Sequence, residues 1–577
     1  MGTDRWKRAL LASVYAAMST TTREQETSIP SAGPSPLSSR ARWAVMAAIL
    51  LTMFMGSLDQ TVVGTALPRI VTDLSGNSLY SWVVTAYLLS STITVPIYGK
   101  FSDVFGRKPM LLVGVGLFLV GSWACGFSQN MGELIVFRAL QGLGAGAIFP
   151  IALAVIGDLF SARERGRYQG LFGAVFGLSF IVGPFVGGWL TDNVSWRWVF
   201  YVNLPVGIAA LAVITYVMPS LGRRDASALD LDYLGIALFC LGVIPLLIGL
   251  TNKGQTDSSG RLYDWTAPSV GGLILGGLLV LAVFVFVEWR AREPIVPLDL
   301  FRSRDYTASQ VAVFLFAVGM FTAVIFLPRY YQAVRGDTAT QSGYEIWPLL
   351  VGLIGGSTGS GILISRIGRY KWILVASAVP LIVGGYLMTH LTASTGTWTL
   401  WLWMLILGLG VGPSLAGFTV AVQNVVPLDR LGVATSNLTF FRQIGGSVGL
   451  AVADTVFASA FTNRLPNALT SRGLPATVVN QLVAQGQALT GVGGGSGSLA
   501  QALPAQLRPL LPQIEAGIQD ALAAAVAELF WITIVAGLLA LACTLVLRDV
   551  TLRSGQDRRR ESLTAEEASA PAPAAHL

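Results

Sequence analysis

Charge is scarce in this chain of 577 residues: Asp, Glu, Lys and Arg together make up 12%, against 53% hydrophobic residues and a mean hydropathy of +0.63. So apolar a composition excludes a soluble enzyme, a collagen-like chain and a disordered protein. Histidine is nearly absent, with only His390 and His576, so the H-E-x-x-H pattern of a metalloprotease is missing. The three cysteines, Cys125, Cys240 and Cys543, each lie in an apolar stretch, which argues against a disulfide framework and against a Cys-based metal site. No G-x-x-x-x-G-K-[ST] loop is present to cradle a nucleotide. Gly355-Gly-Ser357-Thr-Gly359 fits G-x-S-x-G formally, but it falls inside an apolar run, outside any strand-turn-helix setting, and reads as a small-residue packing face. The expectation is a protein that is not an enzyme, holds no cofactor or metal, and draws its energy from an ion gradient or from the substrate's own.

What the chain has is long apolar runs. A crossing needs roughly 20 apolar residues, and fourteen such stretches can be drawn, from about 43–66 to about 527–547. Sorted by alternate sides, the basic residues fall 27 to 9, with Arg138 and Arg442 inside spans. The larger number is on the side of the N-terminal arm, so both termini are expected in the cytoplasm of a multi-pass plasma-membrane protein. The same scatter accounts for the net charge of +7 without nucleic acid as a partner.

The chain also repeats itself at an offset of 262 residues. Gly99-Lys-Phe-Ser-Asp103-Val-Phe-Gly106-Arg107-Lys108 is echoed by Gly361-Ile-Leu-Ile-Ser365-Arg-Ile-Gly368-Arg369-Tyr370, and Gly183, Pro184 and Gly187 by Gly445, Gly446 and Gly449. Two motifs on one offset imply two six-helix halves, with the lipid bilayer as solvent and the substrate cavity between them. The expected organisation is a disordered cytoplasmic arm (1–42), a first bundle (43–218), two inserted helices with linkers (219–306), a second bundle (307–547) and a disordered tail (548–577). An extracytoplasmic segment (462–526) carries a Gly-rich break at 493–497 between two amphipathic helices. That segment could meet lipid, a cell-envelope partner, or nothing.

Counting along the helices places two opposite charges at similar depth. Asp59 is about sixteen residues into the first span, and Arg138 enters the fourth from the other direction about five residues deep. A lone carboxylate in lipid is costly while charged, and proton uptake relieves that cost, which is what a proton carrier requires. The spacing predicts that Asp59 and Arg138 face one another, either as a proton-coupled pair or as a static tie between helices. Arg442 falls mid-span in the second half, where it could bind a substrate anion, balance Asp59 across the cavity, or pack on carbonyls.

These motifs carry a resemblance. Gly99 to Lys108 resembles the cytoplasmic loop signature of the major facilitator superfamily, and Arg138-Ala-Leu-Gln141-Gly142-Leu-Gly144 its fourth-helix signature. Gly173 through Gly177, Gly183-Pro184 and Gly187-Gly188 is similar to the fifth-helix antiporter signature. Leu58 to Pro68 and Trp196 to Pro205 are similar to motifs of the fourteen-helix drug:proton antiporter subfamily. The resemblance implies an all-α membrane protein of the MFS fold, working as a monomer, that exports small amphipathic molecules (drugs, dyes or antibiotics) against protons by alternating access. A dedicated lipid or siderophore exporter is the alternative, and a nutrient symporter comes third. It further implies a conformational latch at Gly99, Asp103, Gly106 and Arg107, weaker in the second copy where Ser365 replaces the acid. By helix position, Gln141, Asn203, Gln423, Arg442 and Asp454 are candidates for the substrate cavity, Asp454 lying at its outer rim.

Overall fold

The computed structural model describes residues 38–74, 79–219, 232–255, 263–484 and 509–552. Most of the N-terminal arm, the Gly-rich break and most of the tail lie outside these. In lipid each backbone polar group must be satisfied within its own segment, so every crossing is a helix. Fourteen helices among the described residues are long and apolar enough to span: α1 (Ser39–Asp73), α2 (Tyr80–Phe105), α3 (Arg107–Phe127), α4 (Met131–Leu159), α5 (Ala162–Asn193), α6 (Asn203–Val217, entered through the turn Trp198–Tyr201), α7 (Tyr233–Lys253), α8 (Leu273–Glu288), α9 (Arg304–Arg335), α10 (Trp347–Ile367), α11 (Lys371–Met388), α12 (Thr397–Val425), α13 (Leu431–Ser471) and α14 (Leu511–Val546).

Local signals set their ends. Asn130 caps α4 by accepting from the Glu133 N–H at 2.9 Å, and Ser161 with Glu164 forms a capping box at the start of α5. α2 and α10 stop at Gly106 and Gly368, with φ of 98° and 73°, a region that favours glycine. These two glycines are 262 residues apart, so the sequence repeat also places a positive-φ glycine at the end of each helix, with ψ of 152° at Gly106 and 21° at Gly368.

The helices form two six-helix bundles, α1–α6 and α9–α14. α7 and α8 pair with each other outside them, α7 resting on α2 and α13. Phe239, Val243 and Leu247 of α7 are buried there with Ile93 and Ala451. The bundles meet along two seams, α5 against α10 and α2 against α13. The face carrying the Phe105–Arg107 turn is called the loop face below.

One expectation fails at the opposite face. The second of the two amphipathic helices expected within 462–526 is not separate: from Leu511 onward the chain is the first part of α14, which runs 36 residues without interruption. Its one proline, Pro512, sits in the first turn, where proline is tolerated, and nothing between it and the span breaks the helix. α13 likewise continues to 41 residues, Pro466 included. At about 1.5 Å per residue both exceed the roughly 30 Å hydrocarbon layer, so they leave the membrane together. Leu469 is buried beside Gly517, and Arg472–Asp520 (2.6 Å) and Arg464–Glu528 (3.4 Å) pair across the outside.

Candidate transport site

Asp59 on α1 and Arg138 on α4 meet inside the first bundle, Arg138 Nη1 donating to Asp59 Oδ2 at 2.7 Å. Both are 1% exposed. Oδ1 accepts from Gln141 Nε2 (2.8 Å) and Asn203 Nδ2 (2.9 Å). Arg138 also donates to Gln141 Oε1 (2.8 Å) and to the Val83 carbonyl (3.3 Å), and it stacks over the Tyr87 ring at 4.2 Å. Asn203 is oriented by a second bond to Ser122 Oγ at 3.1 Å. Five helices thus supply the surroundings of one carboxylate, which is the arrangement a buried charge needs.

Gln141 and Asn203, expected at the substrate cavity, are instead fully enclosed within the first bundle and bonded to Asp59. Gln423 is also no cavity residue. It accepts from Gln169 Nε2 (2.7 Å) and donates to the Leu153 carbonyl (3.0 Å) and Thr435 Oγ1 (3.3 Å), knitting α12 to α4, α5 and α13. Helix position gives depth but not azimuth, and azimuth decides these three. Tyr87 and Ser122 were not singled out by any motif. Gln141 had a usable signal, since it lies three residues from Arg138 on the same helical face.

Between the bundles a cavity of about 130 Å³ is lined by Phe149, Phe172, Phe176, Phe321, Gln60 and Arg442, among others. Arg442 is 8% exposed. Asp454 lies elsewhere, in a side cleft of about 260 Å³ between α2, α7 and α13, with Arg329 and Lys253 as its charged neighbours.

At the loop face Asp103 is buried and reaches across the α2–α13 seam. Its two oxygens accept from the Gly432 and Val433 N–H groups at 2.9 and 2.8 Å, two of the first-turn donors that a helix leaves unpaired. The helix dipole favours a carboxylate there. Asp103 pairs with Arg107, which pairs in turn with Asp158 at 3.0 Å; neither Asp158 nor the start of α13 belongs to a motif noted in the sequence. Gly99 is required by close approach, since a Cβ there would lie 1.9 Å from Ser436 Oγ and 2.9 Å from the Gly432 carbonyl.

The other seam repeats the glycine and not the charge. Gly361 faces the Gly166 carbonyl, where a Cβ would lie 2.2 Å away. Ser365 contributes only its carbonyl, which together with that of Arg366 accepts from the exposed guanidinium of Arg163 at 2.9 and 2.8 Å. Arg163→Ala is expected to change transport less than about fivefold in a vesicle flux assay, because exposed polar contacts of this kind are worth about 1 kcal/mol or less. Along α5, Gly173 and Gly177 face Ser357 and Ile354 of α10, whereas Gly183 and Gly187 face Thr61 and Thr65 of α1. A Cβ at Gly188 would come no nearer than 3.9 Å to Thr340, and Pro184 lies beside Gly343. The antiporter-like motif is thus divided between the seam and the interior of the first bundle.

Residues 49–450 match the Major Facilitator Superfamily. The chain is 38% identical over 435 residues to the multidrug transporter protein MdtP of Bacillus subtilis, covering 75% of this chain and 78% of that protein. It is 39% identical over 453 residues to the uncharacterized MFS-type transporter Rv1877 of Mycobacterium tuberculosis, covering 78% of this chain and 65% of the relative. Among solved structures, the human organic anion transporter MFSD10 superposes with a TM-score of 0.57 at 14% identity, over 89% of this chain and all of that one, a likeness of fold alone. With the family match running through both bundles and fourteen apolar helices arranged as two sixes and a pair, this chain belongs to the major facilitator superfamily of multi-pass membrane transporters.

Proposed function

We propose that this protein exports amphipathic small molecules across the plasma membrane in exchange for protons, by alternating access between its two six-helix bundles. The observation that carries the reading is the sealed Asp59 site, a single carboxylate held by Arg138, Gln141 and Asn203 and adjacent in sequence to Gln60, which lines the central cavity. A proton arriving on Asp59 removes the attraction that holds Arg138, and the free energy released from that pair is then available to bias one conformation over another. Outward direction is supported by a relative named efflux pump dotC, of Dothistroma septosporum, 32% identical over 483 residues; MdtP is named a multidrug transporter, and the aromatic lining of the cavity suits planar, apolar bodies.

In this reading the loop face is cytoplasmic, as the basic residues favour. The Asp103 latch then closes the cytoplasmic entrance, and the conformation described is one in which release toward the outside follows. The protein works as a monomer, and the paired extensions of α13 and α14 are where a cell-envelope partner would dock. The test is proton release from acid-loaded inside-out vesicles on addition of lipophilic cations, neutral drugs or amphipathic acids. Release above that of protein-free vesicles is the expected result. No release with any class, from protein that is demonstrably folded, would overturn proton exchange and favour the dedicated lipid or siderophore exporter.

A further inference from the structure

We propose that the central cavity selects substrates bearing a negative charge, and that Arg442 is the residue that holds it. This deepens the transport reading above and rests on the cavity being the transport site.

Four arginines are buried among the described residues: Arg107, Arg138, Arg165 and Arg442. Three have acceptors. Arg107 pairs with Asp103 and Asp158, Arg138 with Asp59, and Arg165 donates to the Phe160 and Gln423 carbonyls. Arg442 differs: its Nη2 is enclosed and has no hydrogen-bond partner, and no carboxylate among the described residues pairs with it. Asp59, the acid that could have balanced it across the cavity, has both oxygens occupied by Arg138, Gln141 and Asn203. Among the described residues the cation of Arg442 meets the Phe172 ring, 5.7 Å away, near the outer limit of such contacts. A buried guanidinium without an anion is a costly thing for a fold to keep, and its fork of N–H donors matches a carboxylate, sulfonate or phosphate monoester.

Its surroundings specify the remainder of the ligand. The cavity wall near Arg442 is formed by Phe149, Phe172, Phe176 and Phe321, an apolar enclosure for a flat ring. Next along α13, Gln443 also lines the cavity, so a second polar group on the substrate has a side-chain amide to meet. At about 130 Å³ the cavity in this conformation accommodates a ring and its acidic head rather than a drug-sized body, which needs roughly 300 Å³ or more. The class is therefore aromatic or amphipathic acids.

The test uses three probes of one shape on the full chain in lipid nanodiscs: 1-naphthylacetate, its methyl ester, and a naphthylmethyl trimethylammonium cation, titrated by calorimetry. The acid is expected to bind at least tenfold more tightly than the ester. Arg442→Gln should erase that difference while leaving ester binding within twofold, which also reports that the variant is folded, and Arg442→Lys should restore part of it. Equal or tighter binding of the ester or the cation by the wild type would overturn the proposal. So would failure of the acid to bind at millimolar concentration, or an Arg442→Gln variant that weakens acid and ester equally, since that is the signature of packing. The same acid added to the acid-loaded vesicles separates the two claims. Charge-selective binding without proton release leaves the Arg442 assignment standing and removes proton exchange; release driven by cations, with no binding of the acid, does the reverse.

Discussion

Asp59→Asn is expected to reduce substrate-triggered proton release in inside-out vesicles at least a hundredfold. The amide has no titrating proton, so a cycle that moves a proton through this position has nothing to carry it. The substitution is not silent structurally. An asparagine keeps one oxygen for Gln141 and Asn203, but it turns an N–H toward Arg138 Nη1, donor against donor. Arg138 is then left with Gln141 Oε1 and the Val83 carbonyl and no counter-charge, and breaking a buried pair on one side costs about 3–5 kcal/mol. Loss of activity alone would thus not distinguish a proton carrier from a static tie. The paired variant Asp59→Leu with Arg138→Met does so, because replacing both members of a buried pair with apolar groups is often neutral for stability. If the pair only ties α1 to α4, this variant should transport with its proton dependence intact, and that outcome in either variant would sink the coupling role. A folded double variant that binds substrate and releases no proton is the expected result.

The second large effect is expected at the α2–α13 seam. Asp103→Ala removes two hydrogen bonds from backbone N–H groups at the start of α13 and one of the two carboxylate partners of Arg107 in one step. Hydrogen bonds to a charged group are worth about 1.5–3 kcal/mol each, so the conformation with this seam closed loses about 3 kcal/mol or more relative to one with the seam open. That is about a hundredfold in the ratio of the two populations. Spin labels on α2 and α13 near the loop face should show the closed distance distribution giving way to a longer one, with transport falling at least tenfold. An unchanged distribution would mean that the glycine contacts alone hold the seam. Because Gly99 leaves no room for a Cβ against Ser436, Gly99→Val should open the seam by a separate route, and the two variants together should open it little further than either alone.

The fold is legible in the sequence because lipid leaves few choices: twenty apolar residues must be a helix, and fourteen such runs plus a constant offset dictate two bundles and an inserted pair. The offset reappears as two positive-φ glycines, Gly106 and Gly368. Depth along a helix is equally legible, since each residue adds a fixed rise, and it brings Asp59 and Arg138 to one level. Rotation about the helix axis is not. Gln141 and Asn203 look like cavity residues until their azimuth is known, and then they belong to Asp59. Contacts between distant turns are hidden for the same reason. Asp158 and the Gly432–Val433 N–H groups complete the Asp103 cluster, and no local pattern marks them. The unbroken extension of α14 is hidden because a membrane boundary need not be a helix boundary: nothing in Leu511 to Val546 stops the helix after its first turn.

α13 joins two ends of the molecule that are otherwise far apart. Its first turn is gripped by Asp103 at the loop face, and its last turns stand beyond the opposite face with α14. Forty-one residues make an uninterrupted rod about 60 Å long. A rod of that length is a lever: each degree of tilt about its gripped end carries the far end sideways by about 1 Å. In the alternating-access cycle proposed above, small rocking motions of the second bundle that are difficult to resolve at the Asp103 contact would therefore arrive magnified at the tip, where a fluorophore attached near Ser471 would read them from outside the membrane.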